Sequence, residues 1–161
     1  MNAGSRTVIS KSFSSNPSVL EDFYAWLEGE LNTLPLRKED SNRVVLATAE
    51  AFSNALLHGN RRDPQKKVRV ELILSGRGLT LRVGDEGEGS QPDPTRKSGL
   101  FDTSGRGWEL MHKLADGVAI RREDGFFWVE LSFKMPKDYK EKPEKKKGKK
   151  GAGKIRSGGR R

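Results

Sequence analysis

The chain has 161 residues, enough for one domain with a single core. It has no cysteine, which excludes a disulfide framework and a Cys-ligated metal. The formal net charge is +9, but residues 137–161 hold 12 Lys or Arg against three acidic residues (Asp138, Glu141 and Glu144), so the excess sits there and the remainder is balanced.

No apolar run approaches the roughly 20 residues that a membrane helix needs. Met1 to Ser10 lacks the charged-then-apolar layout of a signal peptide. A soluble, cytoplasmic protein with no membrane partner is therefore expected.

Thr7 to Phe13 reads as a first strand. Ser14, Ser15 and Asn16 before Pro17 mark a helix start. Val19, Leu20, Phe23, Trp26, Leu27 and Leu31 follow at helical spacing, with Gly29 a weak point near the end. A second helix is expected from Asp40 or Ser41 to about His58, with Val45, Ala49, Phe52 and Leu56 as its apolar stripe and Gly59 as its C-cap. Lys67 to Ser75 and Leu79 to Val83 alternate across Gly76-Arg77-Gly78 and predict a hairpin. The segment from Asp85 to Ser104 is rich in Gly, Pro and Ser, and a loop of that length inside a domain is commonly functional. A helix from Arg106 to Ala115 follows, closed by Asp116-Gly117. A second hairpin then pairs Val118–Arg121 with Phe126–Phe133 across Glu123-Asp124-Gly125. This order predicts an α+β fold over residues 1–136, a two-layer sandwich whose mixed, mostly antiparallel sheet is covered on one face by helices. Residues 137–161 have Tyr139 and Ile155 as their only large apolar side chains, so a disordered Lys/Arg-rich tail is expected.

Three segments carry chemistry. Glu50, Asn54 and His58 are spaced four apart and share one helix face beside the apolar stripe. The amide oxygen of Asn54 is a hard ligand suited to Mg²⁺, and Glu50 can orient or deprotonate a nucleophile one turn away. The same spacing also suits a solvated polar stripe. In the second segment, Asp85 ends a strand and leads into Gly87 and Gly89, which permit close backbone approach to a ligand. The Asp85 carboxylate can accept a hydrogen bond from an exocyclic amine such as that of adenine. An acidic, Gly-rich turn is the alternative. In the third, Thr103-Ser104-Gly105-Arg106-Gly107 opens a helix, whose free N–H groups and dipole favour an anion. Thr103 and Ser104 add hydroxyl donors. No Gly-Lys-Ser/Thr follows, so this is not a Walker A loop.

Together, in this order, the three segments resemble the nucleotide site of the histidine-kinase-like ATPases (the GHKL group: gyrase, Hsp90, histidine kinase, MutL). Glu50 to Asn54 is similar to the N box of that group, Asp85-x-Gly87-x-Gly89 to its first glycine box and Gly105-x-Gly107 to its second. Glu50-Ala-x-x-Asn54-Ala-x-x-His58-Gly59 is closest to the pattern of anti-sigma factor serine/threonine kinases. The resemblance covers about residues 7–135. It implies ATP and Mg²⁺ as cofactors, Asn54 on the metal and phosphates, and Glu50 as the base that activates a serine. It further implies Asp85 on the adenine amine, Gly87 and Gly89 shaping that pocket, and residues 90–104 as a lid. Gly105, Arg106, Gly107, Ser104 and Thr103 would lie along the phosphates, with His58 also within their reach. Related kinases often carry an arginine where Thr103 stands, which leaves Arg96 and Arg106 as the nearest cations.

The expected function is an ATP-binding anti-sigma regulatory factor with serine-kinase activity toward a STAS-type anti-anti-sigma protein. Its partners would be a sigma factor and that antagonist, with a homodimer suggested by the resemblance. The alternative is a module that holds ATP and sequesters a partner without transfer. The tail adds a possible salt-dependent contact with nucleic acid.

Overall fold

The computed structural model describes residues 5–76, 78–88 and 104–136. Strand β1 (Arg6–Ser14) is followed by a 3-10 turn at Pro17–Val19 and by helix α1 (Leu20–Asn32). Helix α2 (Lys38–Asn54) continues into a π turn over Ala55–Gly59. Strands β2 (Lys67–Ser75) and β3 (Gly78–Asp85), helix α3 (Ser104–Leu114), and strands β4 (Gly117–Glu123) and β5 (Phe126–Lys134) complete the order. The strands form one sheet in the order β1-β2-β3-β5-β4, and every pairing is antiparallel. This is the two-layer α+β sandwich expected from the strand and helix pattern.

Period-two alternation decides which face is buried. Val68, Val70 and Leu72 of β2, Leu79, Leu81 and Val83 of β3, and Phe127, Val129 and Leu131 of β5 all point to the helices and are buried. The helices meet them with Phe23, Leu27 and Leu31 of α1, Val44, Ala51 and Phe52 of α2, and Trp108 and Met111 of α3. Phe23 stacks on Phe52 at 4.0 Å between ring centroids, and Phe13 of β1 meets Phe52 edge-on at 5.4 Å. Each such side chain contributes roughly 1.5–3 kcal/mol by burial. This aromatic trio therefore fixes β1, α1 and α2 to one another.

The other face of the sheet has no helical layer among the described residues. Long side chains cover it instead. Arg82 lies 4.3 Å above the Trp128 ring, and its guanidinium reaches Glu71 at 2.9 Å, Glu123 at 2.6 Å and Glu130 at 3.1 Å. Gly84 leaves room for that indole, because a Cβ there would stand 2.7 Å from the ring.

Four local expectations are corrected. α2 begins at Lys38, ahead of Asp40 and Ser41; Arg37 occupies the N-cap in extended conformation, and its side chain pairs with Asp40 at 2.8 Å in the first turn. α3 begins at Ser104 rather than Arg106, so Gly105 and Gly107 lie inside the helix. Gly59 is not a left-handed C-cap; the positive-φ glycines among the described residues are Gly76 and Gly125, and Gly59 closes a π turn. Asp116 does not cap α3 with its side chain, which instead accepts a hydrogen bond from Lys134 N at 2.7 Å and ties the helix end to β5. The hairpin at Asp124-Gly125 forms as expected, with φ of 53° and 78° at its two central residues. No helix of the described residues is long and apolar enough to cross a membrane. The Lys/Arg-rich tail lies outside the described residues.

Candidate functional site

The three segments converge at one end of the sheet, where α2 ends, β3 ends and α3 begins. Glu50 and Asn54 sit one α-helical turn apart on α2. Glu50 is half-buried, and Asn54 is 8% exposed with no hydrogen-bond partner for its Nδ2. Beyond Asn54 the helix widens, with Asn60 N donating to Ala55 O at 2.8 Å. His58 falls in this π turn, where α-helical spacing no longer applies, and its side chain is exposed.

Asn60 explains why the chain widens there. It is 1% exposed, and its Nδ2 donates to Ser15 Oγ and Lys67 O, both at 2.8 Å. Its Oδ1 accepts from Glu86 N at 2.8 Å. One side chain thus ties the end of the helical run to the segment after β1, the first residue of β2 and the segment after β3. Arg61 and Arg62 follow in the left-handed region, at φ of 51° and 59°, and turn the chain toward β2. Such conformations cost about 1 kcal/mol each and persist only where surrounding contacts hold them. Here Arg62 N donates to Leu56 O at 2.9 Å and Asp63 N to Asn60 O at 3.0 Å. Sequence reasoning passed over Asn60, although an Asn directly after His58-Gly59 is a residue type suited to irregular backbone.

Asp85 ends β3 at 2% exposure. A Cβ on Gly59 would collide with its carboxylate, and a Cβ on Gly87 would collide with the Gly59 carbonyl. Both glycines are therefore required by close approach around one buried acid. Burial pushes the Asp85 carboxyl up to about 6, against the Gly87 N–H that donates to it at 2.9 Å and the positive charges of Arg122 and Lys66. Arg122 also donates to the Glu88 carbonyl and stands 5.3 Å over the Phe127 ring, which fastens the segment leaving β3 to the edge strand β4. His58, Gly59, Arg61, Lys66, Glu86, Gly87 and Glu88 line a cavity of about 330 Å³ beside this acid.

The first turn of α3 completes the arrangement. Ser104 and Gly105 open the helix, where N–H groups lack intrahelical acceptors. Arg106 is exposed and Gly107 is buried. A Cβ on Gly107 would collide with Glu50 Oε1, so the glycine lets α3 rest on the Glu50 carboxylate. Gly89 and Thr103 lie outside the described residues. Among those described, no three His, Asp or Glu side chains cluster as a metal cage. Mg²⁺ held by one or two protein groups and phosphate oxygens needs no such cage. The carboxamide oxygen of Asn54 is a donor of the type that Mg²⁺ takes, so the residues present are compatible with such an ion.

Comparison with known proteins bears on this arrangement. The chain is 28% identical over 88 residues to the anti-sigma F factor of Anoxybacillus flavithermus, a stretch that covers 51% of this chain and 60% of that protein. It is 30% identical over 95 residues to the anti-sigma F factor of Bacillus cytotoxicus, covering 55% and 64%. The matched stretch thus spans about 60% of the length of these curated relatives. Among solved structures, it is similar to the RsbU and RsbW domains of a Mycobacterium tuberculosis protein, with a TM-score of 0.60, 18% identity, and coverage of 80% of this chain and 32% of that one. At that identity the likeness bears on the fold alone. The profile of the Histidine kinase-like ATPase domain matches residues 13–133, from the end of β1 to the end of β5, and the chain belongs to that family.

Proposed function

We propose that the chain binds Mg-ATP and transfers the terminal phosphoryl group to a serine of a partner protein, as an anti-sigma regulatory kinase. The observation that supports this reading best is the meeting of three walls: the buried Asn54 amide, Asp85 packed on Gly59 and Gly87, and Glu50 against Gly107 at the start of α3.

In this reading Asp85 accepts a hydrogen bond from the adenine amine, and Gly87 lets the base approach. Asn54 would hold Mg²⁺ through its oxygen, and its Nδ2 would donate to a phosphate oxygen. Bound Mg²⁺ would neutralise charge on the transferring phosphoryl group. The first amides of α3 meet the phosphates at the positive end of the helix dipole. Glu50 takes the proton from the serine hydroxyl as its oxygen bonds to phosphorus, and ADP leaves. Arg61, in the cavity beside Asp85, adds positive charge on the nucleotide side, and His58 lines the same cavity. The partners would be a sigma factor and a STAS-type antagonist, acting in the cytoplasm on a homodimer. Residues 137–161 would lie outside the nucleotide domain.

A second reading, ATP-dependent sequestration without transfer, is favoured by Thr103, which stands where related kinases often place an arginine. The loss of that cation would leave developing phosphoryl charge less stabilised. Incubation with Mg-ATP and the purified antagonist separates the two. Phosphoserine that forms with the wild-type chain and vanishes in Glu50→Gln, at unchanged ATP affinity, supports the kinase. ATP binding without transfer supports the module. Absence of ATP binding would defeat both.

A further inference from the structure

Leu46 is 55% exposed and Leu110 is 39% exposed, although both are large apolar side chains on core-forming helices. They belong to different helices, α2 and α3, which pack against each other. Two contacts fix α2 against α3. Arg43 Nη1 donates to the Leu114 carbonyl at 3.2 Å, and Gly107 rests on the Glu50 carboxylate. The helices therefore run antiparallel between these points. Leu46 falls between Arg43 and Glu50, and Leu110 falls between Gly107 and Leu114.

On α2 the residues Asn42, Leu46, Glu50 and Asn54 recur every four positions and form one row. Asn54 and the acid Asp85 lie toward one end of that row, and Leu46 lies toward the other. Beyond Leu46 the surface opens into a groove of about 620 Å³ that also includes Leu31, Leu34, Leu36 and Val45. Its lining carries one acid, Glu28, and one base, Lys38, so no net charge selects a charged segment.

We propose that Leu46, Leu110 and this groove dock the protein that receives the phosphoryl group, and that they fit an uncharged, apolar segment next to its acceptor serine. The inference rests on the kinase reading of Glu50. Glu50 can take a proton only from a hydroxyl within about 3 Å or through one water. A protein seated that close to α2 must cover the adjacent turn, and the side chain there is Leu46. The nucleotide and the acceptor then approach Glu50 from opposite ends of one helix row. Covering an exposed leucine pair provides apolar contact without disturbing the nucleotide walls.

The test uses Leu46→Ser and Leu110→Ser in the full chain, with Val8→Ser as a control, since Val8 is 50% exposed on the helix-free face of the sheet. Transfer to the purified STAS-type antagonist is measured, together with ATP affinity and direct binding of an antagonist whose serine is replaced by alanine. Each leucine variant should raise KM for the antagonist on the order of tenfold and weaken its direct binding comparably, with ATP affinity unchanged. Val8→Ser should leave all three as they are. Unchanged KM and binding in both leucine variants overturns the docking surface, even where Glu50→Gln abolishes transfer. A matching loss of ATP affinity, or an equal loss in Val8→Ser, also overturns it. If wild-type transfer is absent or survives Glu50→Gln, the kinase reading fails by itself, and direct binding still reports on the leucines.

Discussion

Asp85 is a carboxylate held almost out of water, at 2% exposure, and its energetics run in two directions. Its carboxyl titrates near 6 in the folded chain against an ordinary value of 3.8. Between those values the folded state keeps a proton that the unfolded chain has released. Stability therefore falls as pH rises across that window, and the penalty persists above it. Ionisation, however, provides the stronger acceptor for an amine. Asp85→Asn should thus stabilise the fold at neutral pH by on the order of 2 kcal/mol and raise the melting temperature accordingly, with a gain that shrinks as pH falls below about 6. The same variant should lose adenine-nucleotide affinity, and wild-type affinity should weaken as the acid protonates. Melting curves and nucleotide titrations at several pH values check both. A melting temperature at neutral pH no higher than wild type would mean that the buried charge costs nothing. Asp85 was legible in the sequence because an acid at a strand end before alternate glycines is a distinct pattern. Gly59 was legible only as a glycine. The reason for it, the Asp85 carboxylate against its Cα, joins residues far apart in the chain.

At the scale of elements, alternation and helical spacing located the five strands and three α-helices of the described residues, since each element buries one face against a single core. Ends were less legible. The start of α3 looked like a turn because two glycines lower helix propensity, and only burial of Gly107 on Glu50 overrides that. The π turn left no sequence mark, because it is set by the three hydrogen bonds of Asn60. Gly29 shows the opposite case, a glycine with no structural demand. It lies inside α1 without positive φ, and nothing stands within 4 Å of a Cβ placed there. Gly29→Ala should stabilise the fold by roughly 0.5–1 kcal/mol. Chemical denaturation with an unchanged m-value would register it, and a loss of stability would reveal a contact that the folded chain does not display.

For the whole molecule, the site depends on convergence. The ends of α2 and β3 and the beginning of α3 face one another because the sheet order inserts β5 between β3 and β4 and brings α3 back across α2. No single segment predicts that meeting, and the likeness to a known family supplied it at the sequence level. Charge partition was plain from composition: the Lys/Arg excess lies wholly in residues 137–161. No described wall of the site draws on that segment. Truncation after residue 136 should leave ATP affinity unchanged, as measured by nucleotide titration. Any salt-dependent retention on nucleic acid should disappear with the tail. A large fall in ATP affinity would move the domain boundary.

The π turn at Ala55–Gly59 has a consequence for how this chain tolerates insertions and deletions. It acts as a spacer of set length between Asn54 on α2 and the Asp85 carboxylate that ends β3. Shortening it by one residue would leave Asn54 anchored on α2 and Asp85 anchored in the sheet. Gly59 and Asn60 would then each arrive one position away from the partner they serve. Relatives that keep both polar residues but differ in length across this turn would carry the familiar motifs without the geometry that joins them.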